Sequence, residues 1–399
     1  MPARAVHHVH YRWVVLGAGT LAQASTAAYF LGLAAILPVL REHFGLSLAG
    51  VGGLVGLISL GVASTLVPWG VAADRFSERA VMTLGLTLAA LCLLAAAPLT
   101  SPLAAGALLV AAGAAGASVN AASGRVVLTW FPTRRRGLAM ALRQTSVPVG
   151  AGVAALVLPP VAGRAGVPGA LLVLAGGCAV AAAVVAVWVR EPPGAAAIRA
   201  AADPDAPRGQ LPKYADRRLV RLSLASGLLV VPQVLGSTFL VELLHSGHGI
   251  SLALAGGLLA LTQGLGAAGR IGAGVWSDRV GSRLRPLRVV AIVIVAGYAL
   301  AAALDAGPVP LLAGVLVVTA ASAISWNGLA FTAAGELAPP QRIGAALAFQ
   351  NTANFISAAV TPALGGAVAQ LAGWPAMLAV AASAAALAWW LLGPLRGAA

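Results

Sequence analysis

Long apolar runs alternate along this chain with short clusters of Pro, Gly, Ser and charge. Each run is long enough to cross a hydrocarbon core of ~30 Å as a helix, and none shows the alternating pattern of a barrel strand. Twelve spans are predicted. The first six run from Trp13 to Pro38, Leu48 to Val71, Ala80 to Ala97, Leu103 to Trp130, Leu138 to Val161 and Val167 to Val189. The second six run from Leu219 to Leu244, Leu252 to Trp276, Leu287 to Leu304, Val309 to Ala334, Gly344 to Leu371 and Pro375 to Leu392. Arg41-Glu42-His43 reads as a short outer loop. Between Arg190 and Asp216 the composition turns to Pro and charge, which predicts a linker with a short surface helix around Ala195 to Ala202. The organisation is therefore all-α and integral to the membrane: a six-helix bundle over 1–190, a cytoplasmic linker over 191–217 and a second six-helix bundle over 218–399.

The two halves echo each other. Gly70-Val71-Ala72-Ala73-Asp74-Arg75 recurs as Gly274-Val275-Trp276-Ser277-Asp278-Arg279, each copy ending one span and opening the next. A glycine four residues before an aspartate places both on one helical face, so Gly70 and Gly274 are expected to admit a neighbouring backbone where the helix leaves the apolar zone. Phe131 to Gln144 and Leu337 to Gln350 likewise each set a basic loop ahead of a glutamine in the next span. The two bundles are thus pseudo-symmetric.

Composition agrees with the spans: 60% of the 399 residues are hydrophobic and 9% charged, and the mean hydropathy is +0.92. That leaves too little polar surface for a soluble globule. A formal charge of +14 would suggest nucleic acid in a soluble protein. Its distribution points to topology instead. Arg4 and Arg12, Arg75 and Arg79, Arg134 to Arg136, Arg279 to Arg288, Arg342 and Arg396 fall on one side of the spans; Arg41 and Arg164 fall on the other. Both termini are then expected in the cytoplasm. Cys92 and Cys178 lie far apart in apolar runs, without metal-ligand or disulfide spacing.

With these features the chain resembles the major facilitator superfamily of secondary transporters over essentially its whole length. The resemblance implies two six-helix bundles around a central site that opens alternately to either side. The Gly70/Asp74/Arg75 and Gly274/Asp278/Arg279 turns resemble its signature between spans two and three. The first copy departs from that pattern at Ser77 and Glu78; the second, with Gly281 and Arg283, is closer. Trp130-Phe131-Pro132 through Arg143-Gln144, with Pro148 and Gly150, is similar to cyanate, nitrate/nitrite and other small-anion porters of bacteria. Gly269-Arg270-Ile271 before Gly274 is similar to span eight of oxalate–formate and monocarboxylate carriers, which implies Arg270 as an anion ligand.

Three arginines fall within spans: Arg125, Arg143 and Arg270. An intramembrane arginine costs at least ~2.5–3.5 kcal/mol, so each needs a partner, water or a purpose. No carboxylate is placed at mid-membrane. A cavity with positive side chains should attract an anion, because a carboxylate matches the guanidinium fork with two charge-assisted hydrogen bonds. Each arginine is only ~9 Å from the inner end of its span, so snorkelling or bonding to backbone carbonyls is the bland alternative. Gln263 shares a helical face with Arg270. Gln350, Asn354, Ser357 and Thr361 make one polar stripe in span eleven that must face protein or water. Gln23 in span one, Gln233 in span seven, Asn120 in span four and Asn327 in span ten offer further polar handles, equally suited to packing.

The expected function is carriage of a small anion across the bacterial cytoplasmic membrane by alternating access, as a monomer without cofactor, with proton or counter-anion coupling open. A proton-driven exporter of drugs or hydrophobic metabolites is the alternative, and Glu242 is its only borderline carboxylate. A non-transporting receptor of the same fold is a third reading. No Ser/His/Asp, metal or phosphate-loop constellation suggests an enzyme.

Overall fold

A computed structural model describes residues 2–131, 133–190, 217–338 and 343–397. Regular structure among them is entirely helical: α1 (Pro2–Gly32), α2 (Leu37–His43), α3 (Leu48–Arg75), α4 (Glu78–Ala96), α5 (Pro102–Trp130), α6 (Thr133–Trp188), α7 (Arg217–Glu242), α8 (Leu252–Val280), α9 (Leu284–Ala303), α10 (Val309–Ser325), α11 (Asn327–Leu337) and α12 (Ile343–Leu391), with short tighter or wider turns at Leu33–Ile36, Leu243–Gly247 and Gly393–Gly397. The expected linker helix at 195–202 lies outside the described residues.

Ten helical stretches among the described residues, rather than twelve, are long and apolar enough to cross a membrane. The difference lies in two stretches of 47 residues, Leu142–Trp188 and Phe349–Leu395. At 1.5 Å per residue each spans ~70 Å, more than twice a hydrocarbon core. Each is interrupted at one glycine, Gly166 (φ 63°) and Gly373 (φ 82°), with a proline two residues further on. A left-handed glycine ahead of a proline turns a helix without a loop.

Local chemistry sets the other boundaries. Ser47, Ser77 and Ser251 cap α3, α4 and α8 by accepting the backbone N–H three residues on, at 3.1, 3.1 and 3.3 Å. Gly281 ends α8 in the left-handed conformation. Arg41 and His43, expected in a loop, lie instead in the last turn of α2, which Pro38 opens after a 3₁₀ turn.

Within the first set, α1 packs on α6, α3 on α5, and α4 on both α5 and α6; in the second, α7 packs on α12, α8 on α10, and α9 on α10 and α12. Two broad contacts join the sets, α3 with α12 and α6 with α8, and smaller ones run from α2 and the Leu33–Ile36 turn to α7 and from that turn to α8. Both broad contacts are close at the arginine-poor end. A Cβ on Gly52 would lie 2.2 Å from the Pro362 carbonyl oxygen, one on Gly366 2.2 Å from that of Leu48, and one on Gly256 2.6 Å from that of Ala155. Arg41 Nε of α2 stands 2.9 Å from Glu242 Oε1 of α7, whose side chain is 1% exposed. The expected backbone approach at Gly70 and Gly274 is not found among the described residues, none of which comes within 4 Å of either Cβ position. The buried apolar residues agree. One cluster runs through both sets, whereas a second, with Val15, Met82, Leu86 and Val185, belongs to the first set alone. Among the described residues the close approaches between the sets lie at the arginine-poor end.

Backbone contact within a set is equally tight. A Cβ on Gly113 would lie 2.2 Å from the Ile58 oxygen, and nothing flanks that of Gly272. Gly113→Ala should therefore cost ~1–3 kcal/mol by forcing α3 from α5, lowering the thermal midpoint in detergent. Gly272→Ala should hold or raise it by up to ~1 kcal/mol.

Candidate substrate site

The polar side chains within the spans form two groups. In the first, Gln23 of α1 donates from Nε2 to Asn120 Oδ1 of α5 at 2.8 Å. Arg143 of α6 is 7% exposed and completes the cluster. Its Nε donates to Ser123 Oγ at 2.8 Å, its Nη2 to Gln23 Oε1 at 3.2 Å and to the Asn120 carbonyl at 3.4 Å, and its Nη1 to Gln144 Oε1 at 3.1 Å. These acceptors are neutral oxygens, and together they orient the guanidinium. Ser123 was not singled out in the sequence, although it lies three positions beyond Asn120, on the same face of α5.

The second group mirrors the first. Asn327 Nδ2, at the start of α11, donates to Gln233 Oε1 of α7 at 3.0 Å. Just before it the helical run lapses at Trp326, between α10 and α11. Arg270 Nε of α8 donates to the Ile324 carbonyl there at 2.9 Å. The first group has a counterpart of this clasp: Trp69 Nε1 of α3 donates to the Ala114 carbonyl of α5 at 2.7 Å. Both tie the second long helix of a set to its fourth. One nitrogen of Arg270 is thus structural, whereas among the described residues no hydrogen bond or ion pair holds its terminal nitrogens.

Gln263 and Arg270 meet different neighbours despite their shared face. Gln263 is 3% exposed and lies against Gly152 of α6, and Gly266 and Gly269 lie against Ile324 and Ser325. The span-eleven stripe packs on α7: Gln350 Nε2 donates to Ser226 Oγ at 2.8 Å, and Ser357 faces Gly227. Gln350 Oε1 and Asn354 Oδ1 are nonetheless buried without a hydrogen-bond partner among the described residues. Arg125 lies in α5 and Asp74 in α3, their side chains outside the described set.

The Major Facilitator Superfamily model matches residues 18–361. The chain belongs to this superfamily. It is 36% identical to the uncharacterised MFS-type transporter Rv2994 of Mycobacterium tuberculosis strain H37Rv over 364 residues, covering 91% of this chain and 81% of that one. Its fold is similar to that of a bacterial homolog of the human lysosomal transporter Spinster in an inward-facing, occupied conformation (TM-score 0.82, 16% identity, 97% of each chain). It is also similar to a D-xylose–proton symporter (TM-score 0.74, 15% identity, 96% of this chain and 97% of that one) and to the nucleoside transporter NupG (TM-score 0.74, 15% identity, 97% and 99%). A superfamily chain with these spans is a multi-pass membrane transporter.

The second superfamily-like turn is held by ion pairs. Asp278 pairs with Arg283, not with the exposed Arg279, and Arg283 Nε also pairs with Glu336 of α11 at 3.0 Å. Asp278, followed by Glu336, holds the Arg283 guanidinium above its ordinary range. The left-handed turn at Gly281 brings Arg283 back to Asp278, a pairing that helical spacing does not reveal. Arg75 of the first copy is exposed. Exposed pairs are worth about 0–1 kcal/mol each and are screened by salt. Arg283→Gln should therefore lower the thermal midpoint at low salt and much less at high salt, and Arg279→Gln should stay within ~0.5 kcal/mol of wild type in both.

Proposed function

We propose that this chain moves a small anion, such as an organic carboxylate, across the cytoplasmic membrane by alternating access, with Arg270 as its principal ligand and Arg143 as a second. The observation that carries this reading is the Arg270 guanidinium, anchored through Nε to the Ile324 carbonyl, which leaves the fork edge for a carboxylate. Arg143, oriented by neutral oxygens, supplies positive charge from the other helix set. The 47-residue stretches each count as two crossings, giving twelve in two bundles, 1–190 and 218–399, joined by the linker over 191–217. The arginine-rich end faces the cytoplasm, and closure at the other end makes the described conformation inward-facing. A proton-driven exporter would rely on Glu242, which Arg41 already engages.

One observation favours a second reading. The buried acceptors Gln350 Oε1 and Asn354 Oδ1 suit a neutral ligand with hydroxyl donors, such as a sugar or nucleoside.

Thermal shift of the detergent-purified protein separates the two readings. A ligand at a hundred times its dissociation constant adds ~2.7 kcal/mol. Carboxylates should shift the wild type, shift Arg270→Lys less and leave Arg270→Ala unmoved, and the ligand so chosen should be taken up by proteoliposomes. Shifts from sugars or nucleosides alone, equal in wild type and Arg270→Ala, would overturn the anion reading.

The Arg41–Glu242 pair closes the outer side in this scheme. Glu242→Gln should loosen it, read as faster alkylation by an impermeant thiol reagent of Cys placed at Ala359, in a chain lacking Cys92 and Cys178. An unchanged rate would remove the pair from the gate.

A further inference from the structure

A second polar constellation lies at the arginine-rich end, away from the residues discussed above. Arg221 sits in the first turns of α7, Arg288 in the first turns of α9, and Trp389 and Trp390 in the last turn of α12, where Gly393 and Pro394 lead the chain away. Together these six residues line a cavity of about 330 Å³. Arg221 and Gln233 are twelve residues apart on α7, so the cavity is ~18 Å along the helix from the Gln233–Asn327 pair. It is not part of the candidate substrate site.

The lining has the chemistry of an anion site at a membrane surface. Among the described residues it holds two guanidinium groups. The Arg288 guanidinium carbon lies 4.4 Å from the Trp389 ring centroid, a cation–π contact that fixes its plane. A Cβ at position 393 would fall 3.1 Å from Arg288 Nη1, so the chain passes close to the charge there. Trp389 Nε1, an obligatory donor, is buried without an acceptor among the described residues. Trp390 is 65% exposed, the setting of an aromatic ring at headgroup level. An arginine fork recognises phosphate oxygens by paired, charge-assisted hydrogen bonds. Basic pockets between spans on the cytoplasmic side take phospholipid headgroups.

We propose that this pocket between α7, α9 and the end of α12 binds the phosphate of an anionic phospholipid headgroup, with Arg221 and Arg288 as its cations, the Trp389 N–H as a further donor and Trp390 as the interfacial ring. The lipid comes from the leaflet at the arginine-rich end. Only the naming of that leaflet as cytoplasmic rests on the orientation given under the proposed function.

Native mass spectrometry of the detergent-purified full chain tests this, with phosphatidylglycerol, phosphatidylcholine and inorganic phosphate as probes. Wild type should retain one phosphatidylglycerol in preference to phosphatidylcholine. Arg221→Gln should bind it about five-fold or more weakly, with Arg221→Lys between the two, whereas Arg164→Gln at the opposite end should match wild type. Arg221 and Trp390 reach the surface, so Arg221→Gln and Trp390→Ala keep the test open if variants at the buried Arg288 do not fold. Equal retention of both lipids, or unchanged affinity in Arg221→Gln, would overturn the site. Competition by inorganic phosphate at concentrations matching phosphatidylglycerol would overturn the lipid as its occupant. Retention in detergent does not depend on sidedness. Impermeant thiol labelling that places the arginine-rich end outside would therefore sink the orientation and leave the pocket standing in the other leaflet.

Discussion

Where α3 crosses α5, Gly61 and Gly113 each leave room for a carbonyl region of the opposite helix, and a Cβ at either position would stand 2.1 or 2.2 Å from that oxygen. Lipid tails are as apolar as leucine, so helices in a bilayer gain little from hiding apolar surface and hold together through close van der Waals contact. Small residues at crossings are the means. The outward surfaces carry the large side chains, Leu91, Leu156 and Leu371 among them, as a chain solvated by hydrocarbon requires.

The same closeness makes buried polar groups useful. A side chain on one helix reaches the backbone of the next, so Trp69 bonds the Ala114 carbonyl in one set and Arg270 bonds the Ile324 carbonyl in the other. The amide pairs Gln23–Asn120 and Gln233–Asn327 repeat this likeness one layer away. The two clasps join the same pair of helices in each set but not the same register, Trp69 lying one residue before Gly70 and Arg270 four before Gly274. An indole exhausts its donor in the clasp, whereas a guanidinium retains several; the two sets are alike in framework and unlike in charge.

Between the sets the contact is polarised. Gly52, Gly366 and Gly256 seat against partner backbones at the end where Arg41 meets Glu242, and Gly70 and Gly274 meet no described neighbour at the other. Two helix sets joined along one end suit the rocking that the proposed alternating access requires. Glycines thus serve different ends: tight where the sets meet, without a described neighbour at the other end.

Apolar run length and arginine placement were enough to read an all-helical membrane chain, because a bilayer leaves few ways to satisfy a backbone and each run must be its own solution. The repeated Gly–Asp–Arg turn carried the superfamily likeness, later met by the family match over 18–361. The breaks at Gly166 and Gly373 were legible as proline-marked boundaries but not as turns without a loop. Candidate residues such as Gln23, Arg143, Arg270 and Asn327 stood out because polar side chains are costly in hydrocarbon. Their partners did not. Arg41 with Glu242, Arg143 with Ser123 and Arg283 with Asp278 pair across helices or through a left-handed turn, where no spacing along the chain records the distance. Sequence by itself determined which residues must be held inside the membrane. Only the packing of one helix against another decided what holds them, because a hydrogen bond or ion pair depends on separations in space that folding alone creates.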